Sequence, residues 1–469
     1  MSNRKSKSKL DFDVRYRLGS TKRRRGIEIE NQPGRGEPGP CMPAAIQTMT
    51  MRATRHPRQR TIAPNNGHDQ VKSGPAFYKA PGSSLVAVMR RTKSAAEDFA
   101  KRHGVPKFYT ELDELLQDPE VDAVYVATPP GTHKELALRV CAAGKPCYME
   151  KPMARSHAEC LDMTAAFEEA KLPLYIGYYR RYLPKFVYVK SVMDSGTIGR
   201  VTSVNLRLSQ SRHKFEGEEV RADWRVDATN AGGGLFMDLG SHQLDLLDHL
   251  VGPLRPLGGT AQRLRPTTGL PEPSFAVEDV VCLSFSTASG AVGTASWNFC
   301  SGVWDDTIDI VGELGSLSFS CFNNKPVRLE VAAKKKAAAE DGGSSSSSSS
   351  MAPRAVKRLK EPEVTMHQAE QPDHVHQPLV EAVLRDLRLW ASLPKGDPER
   401  ARLAAGLRQE EARAGGGGGV EDACCSSTGK AAARTALVMD RVLEGFYGGP
   451  GSRDQAFWKS PEKWDKALL

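Results

Sequence analysis

Four short apolar runs constrain this chain more than anything else in it. SLVAVMR, DAVYVATPP, PCYMEKP and PLYIGYY, between residues 84 and 179, are separated by the segments TKSAAEDFAKRHG, ELDELLQ, THKELALRVCAAGKP and SHAECLDMTAAFEEAKL, which carry helical periodicity. A strand that is apolar at nearly every position is buried on both faces. Alternation with amphipathic helices then describes parallel β-α-β units covered on both sides, a doubly wound α/β sheet over residues 71–180. After about residue 200 the pattern changes. RVTSVNLRLSQ, EDVVCLSFSTASGAVGTASWNF and TIDIVGELGSLSFSCF alternate with period two around short glycine turns, which predicts an α+β domain with a mainly antiparallel sheet. This second domain is expected over 181–332 and 363–450. Two low-complexity stretches interrupt it, 333–362 and 393–423; neither has the apolar content to offset chain entropy, so both are expected as flexible insertions. HVHQPLVEAVLRDLRLWASL and STGKAAARTALVMDRVLEG read as amphipathic helices that return to the core.

The first 70 residues read as a basic, disordered tail. They hold 15 Lys or Arg against 6 Asp or Glu, and this excess equals the net charge of +9 of the whole chain. Basic charge confined to such a tail points to a solvated or organelle-targeting stretch rather than to a nucleic-acid face. The nine cysteines form no CxxC pair and lie mostly in apolar surroundings, which suggests reduced thiols, no metal site and a cytoplasmic protein. No apolar run reaches the length of a membrane span.

Three clusters carry chemistry. Glu150-Lys151-Pro152 sits at the carboxyl end of PCYM, the edge where open α/β sheets bind ligands, although a lysine there is also an ordinary surface charge. In AGGGLFMDLGSHQLDLLDHLVG, Asp238, His242, Asp245 and His249 fall four, three and four residues apart on one helical stripe. They are either a solvent-facing polar face or, after a triple glycine that admits a ligand, an Asp and a His one turn apart suited to proton transfer. Two histidines without an HExxH pattern argue against a metal. GYYRRYLP, at the junction of the two textures, offers two tyrosines and two arginines, Tyr178 and Arg180 among them, to a cleft or to junction packing.

The order of these motifs, VDAVYVATPPGTHKELALRVCAAGKPCYMEKP, then YYRRYLP, then WRVDATNAGGGLFMDLGSHQLDLLDHLVG, strongly resembles the Gfo/Idh/MocA oxidoreductases. That resemblance implies hydride transfer between a nicotinamide dinucleotide and a hydroxyl or carbonyl carbon of a sugar, polyol or cyclic diol, in a homo-oligomer whose second domain carries the substrate site and the oligomer interface. It makes the first domain a Rossmann-like NAD(P)-binding domain, and Lys151, Asp238 and His242 catalytic, with His242 the proton acceptor. It places Thr128, Pro129, His133, Glu150 and Lys151 at the cofactor, and Tyr178, Arg180, Trp224, Arg225 and His242 around the substrate. Arg90-Arg91, where an acidic residue would hold a ribose hydroxyl, favours NADP over NAD.

The amino terminus departs from the pattern. GRGEPG, residues 34–39, fits G-x-G-x-x-G, but no buried strand leads into it, and it lies too far upstream. The position of the first strand and glycine loop is taken by RTIAPNNGHDQVK, so both are read as lost. Without that central strand, buried backbone groups of its neighbours would go unpaired at about 1–3 kcal/mol each. An upstream stretch around Arg60–Ala63 is expected to fill the gap, or else the sheet splits. The alternative function is a non-catalytic module with an impaired cofactor site.

Overall fold

The computed structural model describes residues 48–53, 74–211, 224–265, 276–333, 361–406 and 425–448. Its first sheet has six strands, β1 (Thr48–Ala53), β2 (Ser83–Met89), β3 (Lys107–Tyr109), β4 (Ala123–Val126), β5 (Cys147–Met149) and β6 (Leu174–Ile176), in the order β3-β2-β1-β4-β5-β6. The helices α1 (Gly74–Lys79), α2 (Lys93–His103), α3 (Leu112–Gln117), α4 (His133–Ala142) and α5 (His157–Glu169) accompany it. The apolar runs are buried as their composition demands: Val88, Val124, Tyr125 and Val126 expose nothing. α2 stops where Gly104 turns left-handed (φ +64°), a conformation that costs glycine little.

The gap in this sheet is filled, but not as the sequence suggests. TMTMRA, residues 48–53, becomes the central strand, whereas 60–63 lie outside the described residues. β1 also runs antiparallel to both neighbours, pairing Thr48 with Met89 and Val126, Met51 with Ala123, and Ala53 with Ser83. Either direction can satisfy the exposed donors and acceptors of β2 and β4. An irregularity between Met49 and Met51 adjusts the register against β2. The direction does matter for function. Ala53 ends opposite the first residue of β2, at the edge away from the carboxyl ends of β2 and β4. Among the described residues, no glycine turn links β1 to a helix.

The second sheet has eight strands: β7 (Val201–Ser211), β8 (Leu254–Gln262), β9 (Val280–Thr287), β10 (Val292–Ser301), β11 (Asp305–Gly312), β12 (Gly315–Phe319), β13 (Val327–Val331) and β14 (Glu363–His367), in the order β14-β13-β12-β11-β7-β10-β9-β8. Its pairings are antiparallel except β7 with β10. Period-two burial along β9 and β11 gives one face to a core that holds Trp297, Phe285 and Phe299. α6 (Pro184–Asp194) and α7 (Ser241–Val251) supply helical partners to that core.

Two returning helices form where amphipathic patterns place them, α8 (Gln377–Ser392) and α10 (Gly429–Tyr447). Their partners differ from the expected division. α8 packs Leu379, Val380, Val383 and Leu384 with Phe77 of α1 and with Tyr125, Tyr148 and Tyr175 of the first sheet. α10 contributes Ala432 and Ala433 to the first core and Val438, Val442 and Leu443 to the second. The described helices of the stretch 363–450 therefore pack on both halves. Part of the 393–423 segment is ordered as α9 (Pro398–Ala405), capped by the Asp397 side chain on the Glu399 N–H and anchored by buried Leu403. The glycine run after it lies outside the described residues.

Candidate active site

β5 ends at Met149 and delivers Glu150 and Lys151 to the carboxyl edge. There the Glu150 N–H donates to the Val126 carbonyl at 2.9 Å, extending the parallel pairing by one residue. Lys151 then precedes a cis proline. Its Nζ donates to Asp238 Oδ1 at 2.5 Å and to the Asp238 carbonyl at 3.0 Å, so residues 87 positions apart, one from each half, meet in an ion pair. Asp238 lies in a π-helical turn, Phe236–Gly240, that runs directly into α7. Such insertions cluster at functional sites because they re-aim side chains out of the regular stripe.

The four-residue stripe is divided by this arrangement. Asp238 faces Lys151, with Arg225 Nε 3.9 Å from its other oxygen. His242 is buried among the rings of Tyr178, Tyr179 and Phe322, whose centroids lie 6.1, 5.4 and 6.1 Å away. Asp245 is deeper still, gripped by Arg181 through Nε at 2.8 Å and Nη2 at 2.7 Å, while Asp248 receives Arg434. Burial disfavours the Arg181 charge, but Asp245 and Asp248 outweigh it and hold its pKa above the ordinary value. α7 is thus a mostly buried helix whose Asp245 and Asp248 are held by arginines. It is not a solvent face.

The triple glycine makes room for protein. A Cβ on Gly232 (φ +83°) would lie 2.6 Å from the Arg155 carbonyl oxygen, and one on Gly234 would lie 2.7 Å from the Glu278 carbonyl oxygen. The Gly234 N–H donates to the Glu278 carboxylate at 2.8 Å. Close approach between two backbones explains the glycines, and a ligand is not needed for it.

The remaining candidates fall around this centre at different depths. Glu150 accepts from the Tyr125 hydroxyl at 2.5 Å, and the Lys151 N–H donates to it at 3.1 Å. Thr128 and Pro129 form the turn after β4. His133 is fully buried behind that turn, with Nε2 2.7 Å from the Thr128 carbonyl oxygen and Nδ1 3.1 Å from those of Pro152 and Met153. Burial lowers its pKa, although these carbonyls and Glu150 oppose that shift. Its position is that of a clasp between the β4 turn and the Lys151-Pro152 loop. Arg90 and Arg91 follow β2 at the same edge, and Arg90 Nη1 reaches the Ala95 carbonyl at 3.4 Å. Trp224 lies under the Arg225 guanidinium, 4.5 Å from ring centroid to Cζ. Tyr178 is buried, whereas its neighbour Tyr179 spans His242 and His376.

Sequence reasoning missed Phe322 and His376, and singled out Tyr179 only as part of GYYRRYLP. His376 immediately precedes α8 and places its ring 4.4 Å from Tyr179 and its Nδ1 3.9 Å from Glu150. Nothing in the spacing of HVHQP signals that contact; only the folding back of a distant segment creates it.

Two family models match the chain. "Oxidoreductase family, NAD-binding Rossmann fold" covers residues 67–178, and "GFO/IDH/MocA C-terminal domain" covers 186–318. Oxidoreductase P35 of Formosa agariphila is 35% identical over 255 residues, spanning 54% of this chain and 77% of that protein. The chain belongs to the Gfo/Idh/MocA oxidoreductases. It is accordingly an oxidoreductase built on an NAD(P)-binding domain. A trans-1,2-dihydrobenzene-1,2-diol dehydrogenase of Bos taurus is 30% identical over 231 residues, 49% of this chain and 64% of that enzyme. Among solved structures, levoglucosan dehydrogenase in complex with NADH and levoglucosan shares the fold with a TM-score of 0.57 at 22% identity, covering 79% of this chain and 90% of that one. Aldose-aldose oxidoreductase of Caulobacter crescentus gives 0.56 at 20% identity, covering 79% and 93%.

The residues present fit the reactive end of such a cofactor. An ammonium paired across the two halves, a glutamate held by Tyr125 and the turn after β4 all converge at the carboxyl edge. At the pyrophosphate end β1 points the wrong way, and residues 54–73 lie outside the described residues.

Proposed function

We propose that this oxidoreductase moves hydride between a nicotinamide and a hydroxyl or carbonyl carbon of a sugar, polyol or cyclic diol. The observation that carries this reading is the Lys151–Asp238 pair at the carboxyl edge, one helical turn from His242. The nicotinamide, when bound, accepts or returns the hydride. Lys151 directs its ammonium at the oxygen that gathers negative charge, with Asp238 keeping that ammonium in place. His242 takes the hydroxyl proton, and the rings of Tyr178, Tyr179 and Phe322 keep water from it. Thr128, Pro129, Glu150 and Lys151 would line the cofactor, with His133 holding their turn from behind. Trp224, Arg225, Tyr178 and Arg180 surround the substrate. Turnover in Lys151→Met and His242→Asn should fall by at least about a hundredfold with an unchanged circular dichroism spectrum. Near wild-type turnover in either variant would refute the assignment.

NADP is the favoured coenzyme and NAD the alternative. Arg90 and Arg91 end β2 where a 2′-phosphate would be recognised, and the buried Arg90 Nε makes no hydrogen bond among the described residues. A fluorescence titration should give NADPH about tenfold tighter binding than NADH, and Arg91→Gln should narrow the difference. Equal constants would remove the preference. A second reading rests on the reversed central strand: a non-catalytic module would show no saturable binding of either nucleotide in the same titration.

A cytoplasmic setting is supported by seven free cysteines among the described residues, most of them buried, and no described helix is long and apolar enough to cross a membrane. A homo-oligomer is supported by the outer face of the second sheet, where Val292, Val364 and Met366 are exposed.

A further inference from the structure

Arg180 is 92% buried, being only 8% exposed, yet among the described residues no carboxylate pairs with it and its buried Nε makes no hydrogen bond. Its guanidinium carbon lies 5.0 Å from the Tyr179 ring centroid and 4.5 Å from that of Phe322. These are two of the rings that enclose His242. The neighbouring arginine of the same motif, Arg181, has every reason to be structural, since Asp245 and Asp248 occupy it. Arg180 has no such reason. A second buried cation lies near it, Lys185, whose Nζ donates to Ser320 Oγ and the Asn323 carbonyl at 3.0 Å each. The nearby carboxylate, Asp306, spends its oxygens on the N–H groups of Cys321 at 3.0 Å and Phe322 at 2.6 Å, which fixes the turn that holds the Phe322 ring under Arg180.

Burying a guanidinium without a counter-charge is unfavourable, and a fold keeps one when a ligand supplies the missing anion. We propose that Arg180, backed by Lys185, binds an anionic oxygen group of the substrate beside His242, so that the preferred substrate is an acidic sugar or polyol rather than a neutral one. This deepens the oxidoreductase reading and rests on it for the identity of the site. The planar fork of the guanidinium suits a carboxylate or a phosphate, while Tyr179 and Phe322 limit what can approach its faces.

The test is thermal unfolding of the full chain, titrated with glycolate, D-glucuronate and D-glucose 6-phosphate and with their neutral counterparts glycolamide, D-glucuronamide and D-glucose. Wild-type protein should be stabilised saturably by at least one anion and at least about tenfold less effectively by its neutral counterpart. Stabilisation by glucuronate and glycolate selects a carboxylate, and stabilisation by the sugar phosphate alone selects a phosphate. Arg180→Gln should abolish the difference between anion and neutral partner, yet unfold without ligand at the same or a higher temperature than wild type, because a costly charge has been removed. A ligand-free variant that unfolds several degrees lower with anion binding unchanged would show a structural arginine. No discrimination by the wild type would equally overturn the proposal. Loss of hydride transfer in His242→Asn is scored separately. If that loss occurs while anions are not preferred, this inference falls and the oxidoreductase reading stands; the reverse pattern separates them the other way.

Discussion

Lys185 shows how a single residue carries the cost of the site. Burial, with repulsion from Arg180, lowers its pKa to about 8, although Cys321 and Asp306 work in the other direction. The unfolded chain would titrate near the ordinary lysine value of about 10.4. Below pH 8 both states hold the proton, and the native state bears the full penalty. Between 8 and about 10.4 the native state releases its proton first, so stability rises with pH until the penalty is gone. Lys185→Met should therefore stabilise the ligand-free protein at pH 7 by about 1–3 kcal/mol after losing two hydrogen bonds, and the gain should disappear near pH 10.5. Urea denaturation at the two pH values measures it. A difference that does not change with pH would mean that Lys185 is not desolvated as its surroundings require.

At the scale of elements, the reversed β1 is the departure with the largest consequence. Thr50 sits opposite Val124, in the interior of the sheet. Proline there removes a donor from a central strand, so Thr50→Pro should lower stability by about 3 kcal/mol, seen as a shifted denaturation midpoint at unchanged slope. An unaffected midpoint would show that this strand does not complete the sheet. That a strand was needed was legible from the apolar runs on either side, because unpaired rows inside a sheet are too costly to leave. Which stretch supplied it was not: TMTMRA is one of several short segments with modest strand tendency, and pairing alone does not set direction. Lys151, Asp238 and His242 could be proposed as a site from the sequence because their motifs are local and their spacings fixed, but the ion pair that joins Lys151 to Asp238 could not, because the two lie 87 residues apart. The fate of Asp245 was not legible either, because its partner Arg181 lies 64 residues away in sequence. The solvent-facing alternative for α7 could be decided only by knowing that Arg181 and Arg434 reach it.

For the whole molecule, what remains exposed matters as much as what is joined. α10 is shared by both cores and α8 closes over the first sheet, so the inner surfaces of the molecule are occupied by its own chain. The outer face of the second sheet is different. Asn205, Arg207, Cys282, Ser284, Thr294 and Ser296 line a shallow depression there. Val292, exposed by 56%, stands in register with Thr294 and Ser296 along β10; Met366, exposed by 57%, pairs with Arg328 on β13. A sheet face carrying apolar side chains among short polar ones, with its charges matched in the Arg207–Asp305 and Arg328–Glu330 pairs, can be covered by a second copy of itself. The chain should therefore elute as a dimer or larger assembly in light-scattering chromatography. Val292→Asp with Met366→Asp should shift it toward monomer without altering its circular dichroism spectrum. A wild-type protein that stays monomeric at high micromolar concentration would show that this face serves no association between copies.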